Sequence, residues 1–223
     1  MSLHIDGPPF DQPSDFEFTP EYLEKAKYHI AKYPPGRQAS AVLPLLDLAQ
    51  RQSGGWLPQA AMARVAQMLG MAPIRVYEVA TFYTMFNLCP VGRYFLQACT
   101  TTPCWLRGSD EVVAACKRKL GIGVGQSTDD GLFTLVEVEC LGACVNAPIL
   151  QVNDDFYEDI DGPRTEALLD ALKAGNVPPK GSVIGRSGSA PQGGNTTLTE
   201  PVDVEVASGR ARPPEAGEPK NAG

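Results

Sequence analysis

Through residues 1–92 the apolar positions recur at helical spacing, and beyond Arg93 they change to short strand-like runs. Thr19-Pro20-Glu21 has the form of an N-cap, a proline at the first helical position and an acidic first turn. Tyr22, Ala26, Ile30 and Tyr33 then share one face, and Pro34-Pro35-Gly36 stops the helix. Val42, Leu45, Leu46 and Ala49 repeat the pattern, with Pro44 near the start and Gly54-Gly55 at the end. Pro58 opens a third helix carrying Met62, Val65, Ala66 and Leu69 before Gly70. Pro73 opens a fourth, with Val76, Val79, Ala80 and Tyr83 on one side. Four short amphipathic helices with brief turns predict a small bundle.

After Arg93, the run Tyr94–Ala98 suits a strand. Ser109-Asp110-Glu111 starts a helix with Val112, Val113, Cys116 and Leu120 inward, closed by Gly121. Leu132–Glu139 is rich in β-branched and apolar residues and reads as a strand. Ile149–Val152 and Phe156–Ile160 flank Asn153-Asp154-Asp155 as a tight hairpin. Asp161-Gly162-Pro163 opens a last helix with Leu168, Leu169 and Leu172. Strand, helix, strand, hairpin, helix is the thioredoxin-like order, and Pro148 stands just before the third strand, where such folds often place a proline. The predicted class is α+β: a helical bundle over 1–92, a thioredoxin-like domain over 93–175, and a Gly/Pro-rich tail over 176–223. From Gly175 onward, 49 residues hold 9 Gly, 7 Pro and no aromatic, a composition of disordered or extended chain. Its few apolar residues, among them Val183, Ile184, Leu198, Val202, Val204 and Val206, could still dock on a partner.

Charge and composition narrow the function. The 223 residues carry a net charge of -7, which argues against nucleic acid and anionic membrane surfaces. No apolar run approaches the roughly 20 residues of a membrane helix, so no direct membrane insertion is expected. Residues 1–13 hold two acidic residues and no apolar block, so no secretory signal peptide is expected either. Six cysteines without an export signal read as metal-binding, catalytic or buried. His4 and His29 lie far from every cysteine in sequence, which removes most Cys/His dyads and mixed Cys/His zinc sites.

Cys99 and Cys104 are separated by four residues, and Cys140 and Cys144 by three. The first pair leaves the end of the first strand and the second pair leaves the end of the second. In a βαβ unit those ends lie on one edge of the sheet, so four thiolates can converge. A [2Fe–2S] cluster and a structural Zn²⁺ both suit four thiolates on two loops, although zinc favours x₂ knuckles that are absent here. A dithiol redox pair needs Cys-x-x-Cys, which does not occur; four unrelated buried cysteines is the plainest alternative. Cys116, on an apolar helix face, and Cys89, beside Pro90, read as packing residues.

Asp130-Gly131-Leu132-Phe133-Thr134, followed by Cys140-Leu141-Gly142-Ala143-Cys144 and Ala147-Pro148, resembles the signature of the small [2Fe–2S] subunit of NADH:quinone oxidoreductase, respiratory complex I. Cys99-x₄-Cys104 with Trp105-Leu106-Arg107-Gly108-Ser109, Trp56-Leu57-Pro58 and Ala80-Thr81-Phe82-Tyr83 are similar too. The resemblance covers roughly Phe18 to Gly175 and leaves the tail unexplained. It implies a [2Fe–2S] cluster ligated by Cys99, Cys104, Cys140 and Cys144. It also implies a one-electron carrier exchanging electrons with the FMN of a partner flavoprotein, on a side branch from the main chain of clusters. FMN and NADH would sit on that partner only, within the peripheral arm of complex I. The implied location is the cytoplasmic side of a bacterial inner membrane, as a peripheral subunit. This chain itself offers no NADH or quinone site, because Gly121, Gly123 and Gly125 follow a helix instead of opening one.

Glu137 and Glu139 precede Cys140. One carboxylate about 10 Å away, at an effective dielectric near 20, disfavours an added electron by about 1.7 kcal/mol, roughly 70 mV, so a low-potential cluster is expected. Three other functions stand beside this reading: the same module in a soluble NAD-linked hydrogenase or formate dehydrogenase, a zinc-stabilised interaction module, and a thiol oxidoreductase.

Overall fold

Thr19 begins the first helix, α1 (Pro20–Ala31), its hydroxyl accepting from the Tyr22 N–H at 3.4 Å with Pro20 at the first helical position. The computed structural model describes residues 10–186, together with Gly188, Pro191, Gly193, Gly194, Thr196 and Thr197. His4 and the apolar residues of the tail beyond Ile184 lie outside the described residues.

Helices α2 (Val42–Gln52), α3 (Gln59–Leu69) and α4 (Pro73–Phe82) follow where the proline and glycine punctuation puts them. Gly70 ends α3 in the left-handed conformation (φ 64°), which a residue without Cβ adopts at no steric cost. Leu45, Leu46, Ala49, Val65, Val76 and Ala80 bury one shared core with Ala26, Leu57 and Phe86. Full burial of each large aliphatic side chain is worth about 1.5–3 kcal/mol. Tyr83 departs from its expected inward position. The helix ends at Phe82, Tyr83 turns extended (φ -88°, ψ 114°) and loses the helical phase, and its side chain is exposed.

The second half is a mixed sheet. Its strands are β1 (Tyr94–Cys99), β2 (Gln126–Ser127), β3 (Phe133–Val138), β4 (Ile149–Val152), β5 (Asp155–Glu158) and β6 (Gly181–Ser182), ordered β2-β3-β1-β4-β5-β6. β1 and β3 are parallel, while β4 runs antiparallel to β1 and to β5. Helix α5 (Thr102–Leu106) follows β1, α6 (Ser109–Leu120) crosses over to the β2–β3 side, and α7 (Gly162–Lys173) closes the domain. Val112, Val113 and Cys116 of α6 meet Leu168, Leu169 and Leu172 of α7 over Leu96, Leu135, Leu150 and Tyr157 of the sheet. Arg118–Glu166 at 2.7 Å and Lys119–Asp170 at 2.8 Å join the two helices at the surface.

The hairpin turn carries its own lock on the sheet. Asn153, at φ 55°, accepts from the Phe95 N–H through Oδ1 at 2.8 Å and donates from Nδ2 to the Arg93 carbonyl at 3.1 Å. Residues 176–185, which composition assigns to the start of the tail, belong to this unit: β6 pairs with β5, and Val183 packs on the sheet core. Among the described residues no helix is long and apolar enough to cross a membrane.

Entry into β1 requires a glycine. A Cβ on Gly92 would stand 2.6 Å from the Phe133 carbonyl carbon, and its N–H donates to the buried Thr134 hydroxyl at 2.6 Å. Gly92→Ala is therefore expected to lower stability by about 1–3 kcal/mol, as overpacking against backbone does. Urea titration of the variant checks this, and an unchanged midpoint would mean that β3 yields freely.

Candidate metal centre

Parallel pairing builds the site. Cys99 is the last residue of β1 and stands opposite Val138, the last residue of β3. Two residues beyond Val138 the chain reaches Cys140, so both cysteine-bearing loops leave the same sheet edge. β4 is antiparallel to β1 and enters from that edge, bringing with it the 3-10 turn Cys144–Asn146 and the cis Ala147–Pro148 peptide. Cys104 lies in α5, whose first turn follows directly from β1 with Thr101 as its cap residue and Pro103 early in the helix.

The four thiols form two pairs of different character. Cys99 and Cys104 are buried, at 2% and 0% exposure, in a small apolar cluster with Ala147 and Ile149. Cys140 is exposed and Cys144 half-buried, their sulfurs 3.4 Å apart. Among the described residues no three His, Cys, Asp or Glu side chains gather as a site for a single metal ion.

Hydrogen bonds and burial pull the thiols in opposite directions. Burial opposes ionisation of Cys99. Bonds to its sulfur from the Thr101 hydroxyl and from the Leu141 and Thr101 N–H groups outweigh it, and the thiol lies below its usual range. The Thr101 oxygen is 3.1 Å from that sulfur. Burial first, then the bond with Cys99, pushes Cys104 up to about 12. The contact with Cys140 raises Cys144. The Gly142 N–H points at the Cys140 sulfur at 3.4 Å. Four thiols in two pairs, with N–H groups directed at the Cys99, Cys104 and Cys140 sulfurs, fit a binuclear iron–sulfur group, whose potential such hydrogen bonds tune.

The structure therefore sets Cys99 beside Cys104 and Cys140 beside Cys144, on loops that leave one sheet edge. Cys116 sits instead in the core under α6, its thiol pushed by burial to about 12. Cys89 lies half-buried in the connection after α4, its thiol likewise raised by burial. Glu137 and Glu139 are both exposed, so water screens the charges on which the expectation of a low potential rests. Gly121 ends α6 in the left-handed conformation at φ 70°. Spacing does not reveal Thr101 or the Leu141 and Gly142 N–H groups, because their role depends on loop geometry.

Residues 26–173 match the family of thioredoxin-like [2Fe-2S] ferredoxins. This chain belongs to that family. Its cofactor is a [2Fe–2S] cluster, which the paired thiols fit. NADH dehydrogenase [ubiquinone] flavoprotein 2, mitochondrial, of Dictyostelium discoideum is 52% identical over 202 residues, covering 90% of this chain and 81% of its own. An NADH-quinone oxidoreductase subunit of Rickettsia bellii is 58% identical over 160 residues, covering 72% of this chain and 96% of its own. An NAD+-reducing [NiFe]-hydrogenase in the air-oxidized state shares the fold alone, at a TM-score of 0.52 and 23% identity. That likeness spans 58% of this chain but only 23% of the hydrogenase chain.

In the cluster-free ferredoxin, alkylation is expected to reach Cys140 and Cys144 first and Cys116 last, since exposure and thiolate fraction both govern reaction. Mass spectrometry of timed samples reads the order. Modification of Cys116 as fast as Cys140 would contradict its burial under α6.

Proposed function

We propose that this chain is the one-electron carrier subunit in the NADH-oxidising part of NADH:quinone oxidoreductase, with Cys99, Cys104, Cys140 and Cys144 as its cluster ligands. The observation that carries this is the convergence of two thiol pairs on one sheet edge, within a chain 52–58% identical to subunits of that enzyme. A bound [2Fe–2S] group supplies one-electron storage and release. The protein's own contribution is positional. β1 and β3 fix the loops, burial keeps water from Cys99 and Cys104, and the Leu141 and Gly142 N–H groups meet the negative charge of thiolate sulfur.

An electron carrier must bring its site close to a partner, and the rim here suits docking. Trp105 and Leu106 follow Cys104 and are 56% and 71% exposed, while Val145 follows Cys144 at 63%. Exposed apolar side chains beside a redox site mark a protein contact. The occupant we assign is the flavoprotein that holds FMN and NADH in the peripheral arm. Ile74, Tyr77 and Phe82 on α4 are exposed too, which supports a share of that contact for the helical part. Separate cores in the two halves support reading 1–92 and the part from 93 as domains, with β6 extending the second past 175 to residue 185. Attachment to such an arm would hold the chain peripherally on the cytoplasmic face of a bacterial inner membrane. Of the alternative hosts, an NAD-linked hydrogenase has only fold likeness behind it.

Anaerobic iron and sulfide analysis with EPR after dithionite reduction tests the carrier reading. About two irons and two sulfides per chain, with a signal appearing on reduction, are expected; one zinc without sulfide would overturn it. Trp105→Ala combined with Leu106→Ala is expected to weaken flavoprotein retention by at least about tenfold, as loss of interface anchors does, with the cluster intact. Undiminished co-purification would move the docking surface elsewhere.

A further inference from the structure

The inner thiol pair is fixed by β1 and α5, whereas the outer pair rides on the loop between β3 and β4. That loop is steadied by an uncommon device. Asn146, two residues after Cys144, is a polar side chain only 3% exposed. Its Nδ2 donates to Glu158 Oε2, and its backbone carbonyl accepts from the Asp159 N–H at 2.7 Å. Two residues further along, the Pro148 carbonyl accepts from the Ile160 N–H at 3.3 Å.

Asp159 is itself 9% exposed and sits at φ 54°, just past the end of β5. Its carboxylate accepts from the Ser182 hydroxyl at 2.6 Å. Ser182 pairs with Glu158 across the β5–β6 ladder, and the Val183 N–H donates to the Glu158 carbonyl at 2.9 Å. The Tyr157 hydroxyl donates to the Pro178 carbonyl at 3.0 Å and holds the approach to β6. A polar chain therefore runs from the Gly/Pro-rich C-terminal stretch, through Asp159 and Glu158, into Asn146.

Burying an amide and a carboxylate where apolar side chains would pack costs free energy unless the bonds are made. Such a network, once satisfied, fixes one arrangement of the backbone that carries it. Here that backbone delivers Cys144. We propose that Asn146 is a positioning residue for the Cys144 thiol, and that Ser182 in β6 locks it in place through Asp159. Residues 176–185 are on this account part of the metal centre's support. The proposal rests on the reading of Cys144 as a cluster ligand.

The test compares full-length Ser182→Ala, Asn146→Ala and the hydroxyl-retaining Ser182→Thr with the natural chain. In the cluster-loaded proteins, iron release to a ferrous chelator and the EPR spectrum of the reduced state are followed. In the cluster-free proteins, the alkylation rate of Cys144 is taken relative to Cys140 in the same molecule. Loss of a hydrogen bond to a carboxylate predicts about tenfold faster iron release in Ser182→Ala. An altered EPR spectrum and a raised Cys144 to Cys140 alkylation ratio are expected with it, while Ser182→Thr stays close to the natural chain. Should Asn146→Ala not fold, Ser182→Ala decides alone, since its hydroxyl is only partly buried. A lowered unfolding midpoint with unchanged EPR spectrum, release rate and alkylation ratio would reduce the network to plain stability and overturn the proposal. If the natural chain binds no iron or sulfide, the cluster reading fails separately, and the alkylation ratio alone then decides whether Cys144 is positioned this way.

Discussion

The parallel pairing of β1 with β3 is the constraint on which the site depends. Cys99 and Val138 end their strands in register, so the two loops that follow start side by side, one strand spacing apart. An antiparallel arrangement would send Cys99 and Cys140 to opposite edges of the sheet. Parallel strands need a crossover, and α6 supplies it. Its inward face is also the lid of the sheet core, through Val112, Val113 and Cys116. The apolar face of one helix thus does two things: it stabilises the sheet and it lets both cysteine-bearing loops leave one sheet edge.

Burial at the inner pair has two consequences of opposite sign. The apolar surroundings of Cys104 push its thiol up to about 12, so the thiolate is disfavoured. With Cys104 as a proposed ligand, metal binding would displace that proton and couple loading to pH. The same surroundings keep water from the sulfurs once a group is bound. Cys99 offsets part of this cost, because Thr101 and Leu141 already supply hydrogen bonds that suit a thiolate. The outer pair lacks such cover and depends on its loop being held. That is where the buried Asn146 side chain lies.

Legibility in the sequence follows the length of each pattern. Proline and glycine punctuation around three or four turns of periodic apolar residues places the four bundle helices and α6. β-Branched and apolar runs place β1, β3 and the hairpin. β2 and β6, two residues each, are too short to carry any period, and α5, a short helix that starts inside the Cys99–Cys104 spacing and ends at Leu106, is hidden for the same reason. Tyr83 is misplaced by periodicity because a helical period says nothing about where a helix stops without Gly or Pro to mark it. The four cysteines are legible as a set, since spacing and strand order suffice to bring them to one edge. Their division into a buried pair and an open pair is not, because burial is set by Ala147 ahead of β4, Ile149 in β4 and Phe156 in β5. Composition also hides residues 176–185, whose attachment rests on backbone pairing to β5, on Val183 against the sheet core and on the Tyr157 and Ser182 hydroxyl bonds.

The open side of the site explains why the rim is apolar in an acidic chain. Electron exchange needs close approach, so the outer thiols cannot be covered by the protein's own core. Leaving them to water would expose the sulfurs to solvent and the loops to fraying. Trp105, Leu106 and Val145 meet both demands when a partner covers them: each is one or two residues from a cysteine, and each is more than half exposed in the lone chain. Their burial in an interface would stabilise association while excluding water from the outer pair. On that argument a partner docked on the proposed surface would complete the outer half of the site, which the lone chain leaves open.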